Sequence, residues 1–154
     1  MNIDFTKGHG TGNDFVLIAD FDGVLDLTEE QIQQICDRHL GIGADGLILV
    51  TRTENSEVAH LLHDEPNAEW FMDYRNADGS IAEMCGNGIR VMARYLVAKG
   101  HQREGIFAID TRAGIKHLRV PAEDDISVNM GKVYDEAEDV EATANGVTYS
   151  GFNI

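Results

Sequence analysis

Glu83-Met-Cys-Gly-Asn-Gly-Ile-Arg-Val-Met-Ala-Arg-Tyr-Leu-Val-Ala-Lys-Gly100 is punctuated as a helix from about Gly86 or Asn87 to Lys99. Ile89, Met92, Ala93, Leu96 and Val97 fall at i, i+3, i+4, i+7 and i+8, so one broad face is apolar. Gly100 is the stop signal, and His101 stands near the negative end of the helix dipole. Cys85 sits directly before the first turn, where backbone N–H groups lack helical partners and the dipole is positive. A thiol held there has its thiolate stabilised. Gly86 and Gly88 let the backbone approach a bound group, and the same N–H groups suit a carboxylate.

That pairing fits one task. Removing the α-proton of an amino acid is hard because the carbanion is poorly stabilised. Oriented N–H groups on the carboxylate stabilise the developing charge, and a thiolate facing the Cα–H takes the proton. Such chemistry needs neither metal nor pyridoxal. The competing reading is an inert buried thiol, since free Cys is commonly a small core residue. Cys36 takes that second reading, because it lies on the apolar stripe of another helix.

Outside this helix the signals are mostly of strands. Ile3 and Phe5 alternate with polar residues, Lys7–Asp14 is a glycine-rich loop, and Phe15–Ala19 is β-prone. Asp22-Gly23 marks a turn. Thr28–Leu40 is a helix with a Thr28/Gln31 capping box, a stripe of Ile32, Ile35, Cys36 and His39 or Leu40, and a stop at Gly41. Strands are predicted at Leu47–Val50, around Val58–Leu62, and at Trp70–Tyr74 with one face inside. Asn76–Gly79 is a turn. Further strands are predicted at Ile106–Ile109, Lys116–Val120, Ser127–Met130 and Val147–Tyr149. About eight strands to two helices, without βαβ alternation, predicts an α+β fold with a mostly antiparallel sheet.

The net charge of −15 argues against a nucleic-acid partner. Eight acids and one base between Pro121 and Ile154 read as a solvated, partly ordered stretch. No apolar run is long enough for a membrane span, no secretory signal opens the chain, and two cysteines make no disulfide framework. The reading is cytoplasmic, with both thiols reduced. The loop Gly8-His-Gly-Thr-Gly-Asn13 is not a nucleotide loop, since Asn13 stands where the dinucleotide pattern needs glycine and a strand follows. Asn13 and Asn76 are loop amides able to donate and accept, or plain turn residues. The six histidines have no metal-ligand spacing, so no metal is expected.

Five segments in order resemble the diaminopimelate epimerases: Lys7–Phe15, Gly41–Gly46 (GIGADG), Arg75–Ser80 (RNADGS), Glu83–Gly88 with Arg90 and Arg94 beyond, and Thr111–Gly114. The resemblance covers about Met1 to Val133. It implies two pseudo-symmetric domains, each an antiparallel sheet wrapped around a central helix, with the active site between them. It implies cofactor-independent conversion of LL- to meso-diaminopimelate by two cysteines, a step of lysine and cell-wall synthesis. Carried over by position, Cys85 is one catalytic thiol. Gly86 and Asn87 bind the substrate α-carboxylate or amine, and Asn13 and Asn76 are further contacts.

Residues 1–120 are then the first domain, completed in the family by a far C-terminal segment, and 121–154 begin the second. The second cysteine, in a Cys-Gly-Thr-Gly segment of that domain, is missing. The chain alone is therefore expected to be inactive and to need the second domain as partner. The substrate contact that many members make with a glutamine is absent or replaced, because Gly46 stands there. The rivals are a proline- or hydroxyproline-type racemase, which typically has histidine at the Asn87 position, and a non-catalytic ligand-binding or interaction domain. A homodimer is left open.

Overall fold

The computed structural model describes residues 2–60, 65, 67–132 and 139–152. The chain starts with a hairpin, Thr6–Gly10 (β1) against Asn13–Ala19 (β2), with Thr6 opposite Leu17 and Gly10 opposite Asn13. Thr11 and Gly12 between them have φ of 55° and 85°, the left-handed pair that matches the twist of a two-residue hairpin. The predicted glycine-rich loop is thus a hairpin, and its first strand begins at Thr6, beyond the expected Ile3–Phe5. The glycines serve close packing. A Cβ at Gly8 would stand 2.8 Å from Val91 Cγ1, and one at Gly10 would stand 3.3 Å from the Asn87 carbonyl.

The first helix, α1, runs Glu29–Cys36 with the expected reciprocal capping by Thr28 and Gln31. It ends four residues before the predicted Leu40. The Asp37 carboxylate accepts the N–H groups of His39 (2.7 Å) and Leu40 (2.6 Å), which a continuing helix would have used. Ile32 and Cys36 are buried as expected, whereas Leu40 is 94% exposed.

The remaining elements are Gly46–Arg52 (β3), Trp70–Asn76 (β4), Ile81–Ala82 (β5), Gly86–Ala98 (α2), Gly105–Asp110 (β6), Lys116–Val120 (β7), Ser127–Val128 (β8), Asp139–Ala144 (β9) and Val147–Phe152 (β10). Eight strands form one sheet in the order β1-β2-β3-β4-β6-β7-β8, with β5 paired to β4. The β2–β3 and β4–β6 pairs are parallel; the other pairs of this sheet are antiparallel. The α+β expectation holds, with a sheet that is mixed. Parallel neighbours need a crossover, and each helix lies within one: α1 between β2 and β3, α2 between β4 and β6.

The sheet curls around α2. Phe15 and Leu17 of β2, Ile48 and Val50 of β3, Trp70, Met72 and Tyr74 of β4, Ile109 of β6 and Leu118 of β7 share one core with Ile89, Met92, Ala93 and Leu96. On the opposite face Val16, Ile18, Leu47 and Leu49 pack with Ile32 and Cys36 of α1. The runs FVLI and LILV are therefore buried on both sides. Phe71, which alternates with Trp70 and Met72 along β4, is also buried, 3% exposed beneath the Arg112 guanidinium.

Val58 lies in a turn rather than the predicted strand, and Leu61 and Leu62 fall outside the described residues. In the acidic stretch read as solvated, β9 and β10 form an antiparallel hairpin about Asn145 (φ 52°) and Gly146 (φ 75°). Among the described residues no helix is long and apolar enough to cross a membrane.

Candidate active site

Cys85 is the N-cap of α2. Its backbone is extended (φ −139°, ψ 119°), and its Sγ accepts the Gly88 N–H at 3.4 Å. A sulfur thus does what a Ser or Asp oxygen ordinarily does at this position. The first helical bond runs from Ile89 N–H to the Cys85 carbonyl (2.9 Å), so the Gly86 and Asn87 N–H groups precede the helical ladder. Gly88 is needed for packing: a Cβ there would stand 3.3 Å from Ile48 Cδ1 and 3.5 Å from Phe15 Cε1. Gly86 is open: a Cβ there would stand 3.9 Å from the Met130 thioether end. Cys85 itself is half-buried, while Cys36 is 4% exposed and its thiol is pushed up by burial.

The hairpin brings Asn13 to this helix start. Asn13 Oδ1 lies 3.8 Å from Cys85 Sγ and accepts Asn87 Nδ2–H at 3.2 Å. Of the five residues singled out from sequence, Asn13, Cys85, Gly86 and Asn87 therefore converge. Asn76 donates to Ser80 Oγ (3.0 Å) within its own turn. The Ala77 N–H of that turn bonds the Asp45 carbonyl (3.2 Å), which ties it to the loop before β3.

A set of charged side chains that received no role from sequence surrounds the amides. Asp45 Oδ2 accepts from Asn13 Nδ2 at 2.8 Å, and Arg38 bridges Asp45 (2.8 Å) and Asp14 (2.7 Å). Lys7 pairs with Asp14 at 2.9 Å and also donates to the Gly43 carbonyl. On the other side Arg90 Nη2 and Thr11 Oγ1 both reach Asn87 Oδ1, at 2.5 Å and 3.2 Å. Arg38 and then Lys7 hold the Asp14 carboxyl well below the usual range. The Asn13 amide and the Asp14 N–H lower that of Asp45. The signal was present in part: Asp14, Asp45 and Arg90 each sit inside or beside a motif, but pairing across 31 residues is set by the β2–β3 register.

Gly46 has no room for a side chain. A Cβ there would lie 2.6 Å from Tyr74 Cε2 and 2.7 Å from the Arg75 carbonyl. The Tyr74 ring fills that space, edge-on to Phe15 at 5.9 Å. Its hydroxyl is pushed up to about 12 by burial, with the Cys85 charge adding to the effect.

Comparison with known proteins finds relatives in sequence and in fold. The family model described as diaminopimelate epimerase matches residues 5–135. A protein named diaminopimelate epimerase from Streptomyces coelicolor is 46% identical over 152 residues, covering 99% of this chain and 52% of its own length. One of the same name from Thermobifida fusca is 49% identical over 131 residues, covering 84% and 48%. The chain thus spans about half the length of the curated relatives it matches. Among solved structures, a phenazine biosynthesis protein of the PhzF family from Bacillus anthracis shares the fold, with a TM-score of 0.55 at 24% identity over 80% of this chain and 38% of the other. The chain belongs to the diaminopimelate epimerase family.

Proposed function

We propose that this chain supplies one half of a cofactor-independent epimerase centre that converts LL- to meso-diaminopimelate, with Cys85 as one of two thiols. The observation that carries the reading is the Cys85 sulfur at the start of α2, bonded by the Gly88 N–H and facing Asn13. In the forward step one thiolate takes the Cα proton, and the electron pair left behind spreads into the carboxylate. N–H donors at Gly86 and Asn87 hold that charge. A thiol on the opposite face then gives a proton to Cα, which inverts the centre. Asn13, Asn76, Gly86 and Asn87 are the proposed substrate contacts.

One sulfur reaches one face of Cα. Cys36 cannot be the other base, because it is buried against α1's own core on the far side of the sheet. The second thiol is assigned to the part of the relatives' length that this chain does not span. Residues 1–120 form the first domain and 121–154 begin the second. The 154-residue chain alone is expected to show no turnover, because two-base geometry is lost. Family membership favours diaminopimelate over proline as substrate.

The test follows α-proton exchange of LL-diaminopimelate in D2O by NMR, with the complete gene product and its Cys85→Ala variant. Inversion with solvent deuterium uptake, lost in the variant, supports the reading. Turnover that survives Cys85→Ala ends it.

A further inference from the structure

We infer that Asp45 and Arg90 are positioning residues that orient the Asn13–Asn87 amide pair in one direction, so that both amides meet a ligand as N–H donors and read a carboxylate. The carboxylate named is that of the amino acid above, so this inference rests on the proposed function.

An asparagine amide can be turned end for end with little change of shape, and its neighbours decide which end faces where. Asp45 only accepts hydrogen bonds when ionised, and it sits 2.8 Å from one end of the Asn13 amide. That end must be the NH2. The Asn13 oxygen is thereby turned to Asn87 Nδ2 (3.2 Å) and Cys85 Sγ (3.8 Å). Arg90 only donates, and its Nη2 lies 2.5 Å from one end of the Asn87 amide. That end must be the oxygen, which also accepts from Thr11 (3.2 Å). The two constraints come from opposite charges on separate elements, and they agree: the Asn87 NH2 is left facing the Asn13 oxygen.

The orientation fixes what remains available. A carbonyl oxygen has two lone pairs. Asn13 Oδ1 accepts from Asn87 Nδ2–H and, while Cys85 is a neutral thiol, from its S–H; Asn87 Oδ1 accepts from Arg90 and Thr11. Each amide is left with one N–H. The Gly86 and Asn87 backbone N–H groups at the start of α2 are donors as well. A carboxylate satisfies such a surface, whereas an ammonium finds no free amide oxygen while the Cys85 thiol is protonated. The Asn13 amide and the Asp14 N–H keep Asp45 ionised, and Arg38 holds it in place.

The decisive comparison is Asp45→Ala with Asp45→Asn in the complete gene product. The asparagine variant keeps an acceptor for Asn13 but loses the charge pair with Arg38. For wild type, Asp45→Ala is expected to cost about 10- to 100-fold in kcat/KM on LL-diaminopimelate and Asp45→Asn less than about 5-fold. Equal losses in the two variants, or none in Asp45→Ala, overturn the inference. If wild type itself does not turn the substrate over, the proposed reaction fails, and alkylation of Cys85 by iodoacetamide decides the orientation alone. An Asn13 amide free to turn offers N–H to the sulfur anion. Cys85 is therefore expected to react several-fold faster in Asp45→Ala than in wild type or Asp45→Asn. Equal rates in all three overturn it.

Discussion

Gly46 and Tyr74 occupy a single space: any side chain at position 46 would begin 2.6 Å from the Tyr74 ring. Gly46 is fixed by β3, where it pairs with Phe15 and Asn76, and the ring is held against Phe15. Gly46→Ala therefore forces movement in a buried sheet and is expected to destabilise by roughly 1–3 kcal/mol. Urea unfolding of the two proteins checks this. A stability equal to wild type would show that the Tyr74 ring moves aside freely.

The two cysteines differ in accessibility. Cys85 is half-buried at a helix start, whereas Cys36 is 4% exposed and burial raises its pKa. Iodoacetamide on native protein, followed by peptide mass spectrometry, is expected to label Cys85 first. Cys36 should label fully only in denaturant. Faster native labelling at Cys36 would contradict the α1 packing.

The Lys7–Asp14–Arg38 ion pairs give the hairpin a defined pH dependence. The folded-state pKa of Asp14 is lowered, chiefly by Arg38 and then Lys7. A lowered folded value contributes stability above the unfolded pKa of roughly 4 and loses it as pH falls towards the folded one. The pairs should thus be constant from neutral pH down to about 5 and weaken only below about 4. Carboxyl NMR should find Asp14 titrating below ordinary aspartates, and Arg38→Ala should return it towards them. A normal titration in wild type would remove this set of pairs from the account.

Much of this was legible where one residue forces one geometry. The α2 stripe, the Thr28/Gln31 cap, the Asn76–Gly79 turn, the Gly100 stop and the position of Cys85 all follow from local spacing. Other features were encoded but read wrongly. Gly8 and Gly10 are glycines because β1 lies against Val91 and Asn87, and a run chosen for close approach looks like a loop. Asn145-Gly146 is a strong hairpin signal, obscured by the acidic residues around it. The α1 end depended on Asp37 capturing two N–H groups, which an apolar stripe does not report. The charged surround of Asn13 and Asn87 depended on register. Asp14 and Asp45 meet only because β2 and β3 pair in parallel with Phe15 opposite Gly46.

Cys85 serves the helix and the proposed chemistry with one atom, and substitution can separate the two. Serine retains an oxygen able to accept the Gly88 N–H, while alanine leaves that cap position empty. Cys85→Ser should therefore match or exceed wild-type stability, and Cys85→Ala should fall below the serine variant by about 1 kcal/mol. Neither supplies a base able to take a proton from Cα, so both should lose epimerisation by roughly 100-fold or more in the complete gene product. Thermal unfolding and deuterium exchange at Cα, measured on the same preparations, give the two quantities together. A serine variant that folds normally and turns over at the wild-type rate would leave the sulfur with a capping role only.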